Sequence, residues 1–247
     1  MRIATLLPSA TEIVCALGAF DELVAVSHDC DYPPEIKTLP RVTATPIDLA
    51  WPSHRIDAEV VRLRSEGRPV IGLDADVLRR LRPDVLITQS LCDVCAVSDG
   101  EAFRVADALD SAPRVVALDA ADVAGIARDI EVVGTAIGRV PEARALVETM
   151  YARLRALATA HAHAAAGSIV AGADQRSAPA SDPAPRKPQV MCLEWLDPPY
   201  LAGHWVPELV ALAGGVDAGA APGERSRRVR WEAIWRSEER RVGKECR

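Results

Sequence analysis

Short apolar runs alternate with segments of helical spacing along the first 140 residues. The strand-sized runs are RIATLL, ELVAVS, PDVLITQ and Arg114–Leu118. Between them, apolar residues recur every three or four positions, as in amphipathic helices. The predicted helices are Ile56–Ser65, Asp74–Leu81, Ser98–Leu109 and Asp122–Gly138. Strands that alternate with helices indicate a parallel sheet covered on both faces.

Local signals predict the ends of the first helix. Ser9 is followed three residues later by Glu12, which is the signature of a capping box, and Gly18 marks the end of the helix. Further along, Thr38–His54 is irregular and Pro69–Leu73 is predicted to be a short strand.

The alternating pattern stops at a long segment that reads as one uninterrupted helix, Pro141–Ala166. Its apolar residues form one stripe, and at about 1.5 Å per residue it spans roughly 39 Å. The stripe consists of Ala143, Val147, Met150, Leu154 and Leu157. A Pro-, Ala- and Ser-rich insert follows and is predicted to be a loose loop. Structure resumes with a strand, QVMCLEW, and a helix, Val206–Ala213.

Composition and charge exclude some classes of function. The 247 residues are 49% hydrophobic and 26% charged, which is typical of a folded protein. The net charge is −6, so binding to nucleic acid or to an anionic membrane is not expected. No apolar run approaches the roughly 18 residues of a membrane span, and the N-terminus does not read as a secretory signal. The six scattered cysteines favour a reducing compartment over a disulfide framework.

Aromatic residues are concentrated in one segment of a chain that is only 4% aromatic. EWLDPPYLAGHW, from Glu194 to Trp205, holds two tryptophans, a tyrosine, a histidine and a Pro-Pro pair. Such rings offer apolar area at low entropic cost, and their N–H and O–H groups meet polar partners. The segment therefore indicates either a ligand-binding wall or the core of a second lobe.

Several landmarks together resemble a known family. LPSATE follows the first strand, CDYPPE the second, and LRPDVLITQ precedes LCDVCAVS; after the long helix comes EWLDPPYLAGHWVPELVALAGG. This arrangement resembles the substrate-binding proteins of vitamin B12 and iron–siderophore ABC importers, and most of all their cobalamin-binding branch. The resemblance implies an α/β fold with two Rossmann-like lobes joined by a single long helix. It also implies a corrinoid ligand held between the lobes and delivered to an ABC permease, with no catalytic cofactor.

The resemblance implies the following division of the chain. The N-terminal lobe spans residues 1–139, the interlobe helix 140–167, a flexible insert 168–188 and a partial C-terminal lobe 189–234. The family continues with more strands and helices after RVRWEAI, so we expect an incomplete second lobe and a non-native tail at 235–247. The family acts in the periplasm or cell envelope, but the start of the chain as given does not read as a signal peptide, so the location stays open. We expect a monomer.

Ligands of open α/β sheets sit beyond the carboxyl ends of the strands. Four loop segments of this chain are expected there: Pro8–Thr11, His28–Tyr32, Gln89–Cys95 and Asp197–Trp205. These segments predict a site whose large rings cover a flat corrin and whose polar groups meet its amides. The expected ligand-binding residues are Ser9, Thr11, Tyr32, Gln89, Cys92, Trp195, Tyr200, His204 and Trp205. The resemblance also places one permease-docking acid in each lobe, Asp76 and Glu232, although both also suit ordinary helix N-terminal acids.

Three alternatives stay open. The ligand could instead be a haem, a ferric siderophore or a metal, although the four loop segments contain no Lys or Arg to attract an anionic siderophore. His28, Cys30, Cys92 and Cys95 have the ligand types of a zinc site, but no second CxxC supports it. An enzyme that uses the CxxC thiols or a zinc-bound water would need a general base, and no histidine–carboxylate pairing at a credible spacing supplies one.

Overall fold

The computed structural model describes residues 1–91, 97–170 and 187–234. The chain forms two compact units. The first consists of Met1–Ala120 and Ala124–Glu148, and the second of Ala121–Val123 and the described residues from Thr149 onward. The division between Glu148 and Thr149 falls inside the long helix.

The first unit is built on a parallel sheet, as the alternating pattern predicts. Its strands are β1 (Ile3–Thr5), β2 (Leu23–Ala25), β3 (Thr43–Ala44), β4 (Gly72–Leu73), β5 (Val85–Gln89) and β6 (Arg114–Leu118). Four of them form one parallel sheet in the order β2-β1-β5-β6. The predicted strand at Pro69–Leu73 is only β4, which pairs antiparallel with β3 in the stretch expected to be irregular.

The helices lie close to their predicted positions. They are α1 (Pro8–Ala16), α2 (Ser53–Ser65), α3 (Ala75–Leu81), α4 (Asp99–Asp107), α5 (Val123–Ala136) and α6 (Val140–Val170). Side-chain caps fix two of the starts: Asp74 accepts from the Val77 N–H at 2.9 Å, and Ser98 accepts from the Glu101 N–H at 3.2 Å. Each cap satisfies a backbone donor that the first turn of a helix leaves unpaired.

The first helix ends as predicted but begins differently. Gly18 has φ +72°, its N–H bonds to the Cys15 carbonyl, and the Ala19 N–H bonds to the Val14 carbonyl, which together make a Schellman motif. The predicted capping box is wrong, because the helix cap is Leu7 and Ser9 lies inside the first turn without a capping bond. The reason is Pro8, whose fixed φ suits the first helical position and starts the helix before Ser9.

A large apolar cluster stabilises the sheet of the first unit. Leu6, Leu63, Leu78, Leu86 and Val97 are all at most 1% exposed and belong to one cluster. Each buried leucine contributes about 1.5–3 kcal/mol relative to an exposed one. The predicted buried strand is confirmed, since all three consecutive apolar residues of β5 lie in the interior.

The corner between α5 and α6 depends on close packing. A side chain at Gly134 would collide with the Ala143 methyl group and come within 3.0 Å of the Arg139 carbonyl oxygen. The apolar stripe predicted for the long helix is only partly buried, because Ala143 is 1% exposed whereas Leu157 is 50% exposed. The helix itself is confirmed and is longer than predicted.

The second unit contains small sheets and short helices. Its elements are β7 (Gln189–Val190), β8 (Leu193–Leu196), β9 (Pro199–Leu201), α7 (Val206–Leu212), β10 (Val216–Asp217), β11 (Arg227–Arg228) and α8 (Trp231–Ile234). Strands β7 and β10 pair in parallel, and β8, β9 and β11 form an antiparallel sheet in the order β11-β9-β8. The single strand predicted for QVMCLEW is therefore wrong, because the chain leaves one sheet after β7 and enters the other at β8.

Among the residues that the structure describes, no helix combines the length and the hydropathy that a transmembrane span needs.

Candidate ligand-binding site

The aromatic segment folds as a hairpin that places two of its aromatic residues opposite each other. Strands β8 and β9 pair antiparallel, and Trp195 lies directly opposite Tyr200. Residues directly opposite each other in an antiparallel pair have Cβ atoms about 4.5–5.5 Å apart on the same face of the sheet. Both side chains are partly exposed, so a ligand can reach both of them.

A β-bulge is what brings Trp195 onto the Tyr200 face. Leu193 pairs with Leu201, but Trp195 pairs with Tyr200, so the register shifts by one residue between Leu193 and Trp195. In a regular strand, two residues that are two positions apart share a face. Here Leu193 shares a face of the sheet with the buried Leu201. The extra residue of the bulge turns Trp195 to the opposite face.

The third strand of this sheet adds a cation to the same row. Strand β11 pairs antiparallel with β9, and its Arg228 lies directly opposite Tyr200. The row across the sheet is therefore Trp195, Tyr200 and Arg228, which we call the aromatic row. The sequence did not predict a cation here. Arg228 lies outside the four loop segments, and a two-residue strand such as β11 leaves no periodic signal in the sequence.

Backbone contacts hold the hairpin in place against the segment before β11. Gly203 allows the close approach, because a Cβ atom there would lie 2.7 Å from the Ser226 nitrogen. The Ser226 hydroxyl accepts from the Gly203 N–H at 3.2 Å and donates to the Glu194 carboxylate at 2.7 Å. The Trp195 indole N–H donates to the Asp197 carbonyl at 3.0 Å, which fixes the ring beside the turn.

His204 and Trp205 follow the hairpin directly. His204 takes a left-handed backbone conformation with φ +55°, and its N–H bonds to the Glu224 carbonyl at 2.6 Å. The two rings lie with centroids 5.8 Å apart and planes tilted by 38°. Both side chains are partly exposed. The sequence segment thus places four rings within one small region of the second unit.

In the first unit, three expected loop segments leave neighbouring strands. Strand β1 pairs in parallel with both β2 and β5, so the loops after these strands begin at the same edge of the sheet. Ser9 is exposed at this edge, Tyr32 is 62% exposed, and Gln89 is the partly buried last residue of β5. Their role in ligand binding remains an expectation.

Thr11 lies in the interior of the first unit and is not open to solvent. It is 0% exposed, and its hydroxyl lies 2.6 Å from the Thr5 hydroxyl and 3.1 Å from the Cys30 sulfur. The hydroxyl also donates to the Leu7 carbonyl at 3.3 Å. As placed, the side chain joins α1, β1 and the loop after β2, and it presents no group to solvent.

The loop after β2 is held by a residue that sequence reasoning did not single out, Thr43. Its hydroxyl lies 2.7 Å from His28 Nδ1 and accepts from the His28 backbone N–H at 2.9 Å. Arg41 also donates to the carbonyls of Ser27 and Cys30, at 2.8 Å each. These bonds orient the His28 ring, which lies 3.5 Å from the Asp29 carboxylate.

The alternative metal site is described only in part. Cys92 and Cys95 lie outside the described residues, so the structure does not test the CxxC. Cys30 is buried, and burial raises the pKa of its thiol, which disfavours the thiolate that a metal requires. Within residues 1–91, 97–170 and 187–234, no three side chains of metal-ligating type come together.

The two expected docking acids share a local arrangement. Asp76 lies in the first turn of α3, is 79% exposed and pairs with Arg79 one turn later. Glu232 lies in the first turn of α8, is 59% exposed and pairs with Arg230 at 3.2 Å. Both carboxylates are accessible on the surface, and both lie in a first helical turn, where the helix dipole favours an acid, so their docking role stays a prediction.

Comparison with curated proteins finds relatives over part of the chain. The vitamin B12-binding protein of Vibrio cholerae serotype O1 is 40% identical over 97 residues, which cover 34% of this chain and 35% of the relative. The protein of the same name from Pectobacterium carotovorum is 32% identical over 90 residues, or 31% of this chain and 33% of the relative. The match thus spans about a third of these relatives' length. No family model matches the chain.

Solved structures match almost the whole chain. The periplasmic vitamin B12-binding protein BtuF of Vibrio cholerae superposes with a TM-score of 0.60 at 21% identity, covering 94% of this chain and 71% of that one. A periplasmic haem-binding protein from Pseudomonas aeruginosa gives 0.61 at 22% identity, covering 94% and 67%. The structural matches confirm the predicted α/β fold. The curated relatives confirm a sequence resemblance to vitamin B12-binding proteins over about a third of the chain.

Proposed function

We propose that this chain is the substrate-binding component of an ABC importer and that it captures a corrinoid. The observation that carries the proposal is the partly exposed Trp195–Tyr200 pair, set on one face of a hairpin by a β-bulge. It occurs in a chain whose curated relatives are named vitamin B12-binding proteins. The proposed role is transport rather than catalysis.

The chemistry of the pair suits a corrin ring. A corrin is a broad, flat macrocycle whose apolar faces are bordered by amide side chains. The two rings offer apolar area, while the Tyr200 hydroxyl can exchange hydrogen bonds with an amide. If the ligand covers half of the 150–250 Å² that each such ring can bury, the gain at about 25 cal/mol per Å² is roughly 4–6 kcal/mol. That is a large share of the 8.2 kcal/mol that corresponds to a micromolar Kd.

The proposed partner is a membrane permease with its ATPase. Asp76 and Glu232, one in each unit, are exposed acids whose carboxylates already accept from an arginine of the same chain. Exchange of that arginine for one of a permease would be nearly neutral in charge and would need little rearrangement. The solved neighbours are periplasmic proteins, so we propose the cell envelope as the place of action.

A second candidate ligand is haem, and the position of Arg228 opposite Tyr200 favours it. Haem is also a flat macrocycle, but it carries two carboxylates, and Arg228 lies beside the aromatic pair. One solved neighbour with the same fold is a haem-binding protein. Corrinoid remains the first choice, because it is named in the relatives that match in sequence.

The test is calorimetric titration of the purified chain with cyanocobalamin and, separately, with haem. We expect saturable one-to-one binding of cyanocobalamin with a Kd of about 1 μM or lower, equivalent to at least 8.2 kcal/mol. Haem binding with no cyanocobalamin binding would favour the second candidate. If neither ligand bound to a chain shown by circular dichroism to be folded, the proposed function would be wrong.

A further inference from the structure

We propose that Cys15 and Cys30 form a dithiol site that a small disulfide, such as oxidised glutathione, closes into an intramolecular disulfide bond. The bond ties α1 to the loop after β2. The proposal concerns the first unit alone and does not rest on the identity of the ligand. It follows from the packing of the two side chains and from the direction that side chains take on a helix.

The first observation is that the two cysteines meet in one small apolar cluster. Its buried members are Val26, Cys30 and Ile36, against which Cys15, Phe20 and Leu39 pack. Cys30 is 3% exposed, whereas Cys15 is only partly buried, and both thiols are free. The cluster therefore joins a buried thiol to one that a reagent in solution can reach.

The second observation is a contact on the same face of α1. Thr11 lies one helical turn before Cys15, so the two side chains share a face of the helix. The Thr11 hydroxyl lies 3.1 Å from the Cys30 sulfur. Helical side chains lean toward the N-terminus of the helix, onto the residue three or four positions earlier. The Cys15 side chain therefore leans toward Thr11 and toward the Cys30 sulfur that Thr11 contacts.

The pKa values of the two thiols are consistent with this proximity. Burial raises the pKa of Cys15, and the next largest cause of the increase is the charge of Cys30. A like charge has this effect on a pKa when it lies nearby. Burial raises the pKa of Cys30 as well. Both thiols are therefore protonated near neutral pH, and closure of the bond needs an oxidant.

Closure takes two thiol–disulfide exchange steps. Cys15 is the more exposed thiol; it loses its proton, and its sulfur attacks one sulfur of oxidised glutathione, whose S–S bond breaks. Cys30 then loses its proton, and its sulfur attacks Cys15 Sγ and releases the second glutathione. The two cysteines lose two electrons, which reduce the glutathione disulfide, and the two protons end on the two glutathione thiols.

The backbone at Cys30 is already held by hydrogen bonds. The Cys30 N–H bonds to the Ser27 carbonyl at 3.2 Å, and the Cys30 carbonyl accepts from Arg41 at 2.8 Å. A disulfide that closes a loop of about 15 residues acts mainly by restricting the unfolded chain. We therefore expect the closed bond to slow the opening of α1 and of the loop after β2.

The experiment maps the disulfide in the purified, folded chain. Reduced protein is incubated with oxidised glutathione until its free-thiol content is constant, and the remaining thiols are then blocked with N-ethylmaleimide. Cleavage of the unfolded chain after glutamate places Cys15 on peptide 13–22 and Cys30 on peptide 23–35. We expect mass spectrometry to find these two peptides joined in most of the wild-type protein. Cys192→Ala, a change in the second unit, should give the same joined pair, whereas Cys15→Ala should not.

Hydrogen exchange measures the effect of the bond on the fold. The slowest amides of α1 should exchange about 10- to 100-fold more slowly in the oxidised wild type than in the reduced wild type. In Cys15→Ala, treatment with oxidised glutathione should change the same amides less than about twofold. A joined pair without slower exchange in α1 would overturn the proposed tie between the helix and the loop.

The remaining outcomes also decide the proposal. Peptides that join Cys30 to Cys92 or Cys95 would overturn it, as would recovery of both Cys15 and Cys30 in the blocked form. Glutathione that stays attached to Cys15 would overturn it too, because the second step would then have failed. Titration of the reduced protein with cyanocobalamin tests the proposed function separately, so failure of one can be told from failure of the other.

Discussion

The pair of buried hydroxyls at Thr5 and Thr11 allows a quantitative prediction. Both residues are 0% exposed, and their hydroxyls lie 2.6 Å apart between β1 and α1. The change Thr11→Val keeps the shape of the side chain but removes its hydroxyl. The Thr5 hydroxyl then loses its partner in the interior of the first unit, and the Cys30 thiol loses a contact of 3.1 Å.

The magnitude follows from the cost of an unsatisfied buried group. A polar group left without a partner costs about 1–3 kcal/mol, whereas replacing both partners by apolar groups of the same shape can be nearly neutral. We therefore expect Thr11→Val and Thr5→Val each to lower the unfolding free energy of the first unit by about 1–3 kcal/mol. The double variant should lose less than the sum of the two, with a coupling of about 0.5–3 kcal/mol.

Hydrogen exchange measured by mass spectrometry reads this unit separately from the other one. In the peptide that covers β1 and α1, the slowest amides should exchange about 5- to 150-fold faster in Thr11→Val, which corresponds to 1–3 kcal/mol. Corrinoid affinity should change less than about twofold, because the hydroxyl lies in the interior. An additive double variant, or a Thr11→Val variant with unchanged exchange and weakened ligand binding, would refute the reasoning and restore Thr11 as a ligand contact.

Three further predictions concern local contacts. Gly203→Ala should lower the unfolding free energy of the second unit by about 1–3 kcal/mol, because the new methyl group meets the Ser226 nitrogen; urea titration followed by tryptophan fluorescence measures it. Ser98→Ala should cost about 1 kcal/mol by removing the cap of α4, seen as faster hydrogen exchange in that helix. The hydrogen bond from Arg139 lowers the pKa of Glu22 below its ordinary 4.5, so its stabilisation is complete above pH 4.5 and is lost as pH falls through the lowered pKa. Arg139→Gln should therefore show a smaller loss of stability in acid, measured by thermal melts from pH 6 to about pH 3.

Matched variants make these predictions sharp. Gly223→Ala should cost less than Gly203→Ala, because a side chain there meets nothing within 4 Å and only its φ of +78° is unfavourable. Ser98→Asp should retain the cap and the slow exchange of α4. For the acid effect, Glu22→Gln should resemble Arg139→Gln. Equal costs at the two glycines, or acid profiles that do not differ from wild type, would contradict the corresponding contact.

The fold of the first unit was largely predictable because its signals are local. Gly18 ends α1 by supplying the left-handed position of a Schellman motif, and three consecutive apolar residues identify β5 as buried. The start of α1 was not, because Pro8 and Ser9 give competing signals and the backbone preference of proline decides. Strand β3 was missed because a two-residue strand shows no periodicity, although its partner β4 lies inside a predicted strand.

The candidate site was predictable as a segment but not as a geometry. Composition alone identified the aromatic residues around Tyr200. The sequence does not show that a bulge turns Trp195 onto the same face of the sheet as Tyr200. Arg228 was missed because it is far along the chain, and only the pairing of β11 with β9 brings it there. Thr11 was expected among the ligand-binding residues because its segment follows a strand, but its hydroxyl points inward to the Thr5 hydroxyl.

Equilibrium dialysis of cyanocobalamin against the double variant Trp195→Ala/Tyr200→Ala tests the central claim most directly. Loss of both rings should weaken binding at least about 100-fold, since it removes about 3 kcal/mol or more of apolar contact. The control Trp51→Phe changes a tryptophan of the first unit and should bind like wild type. An affinity of the double variant within threefold of wild type, with its fold intact by circular dichroism, would contradict the account.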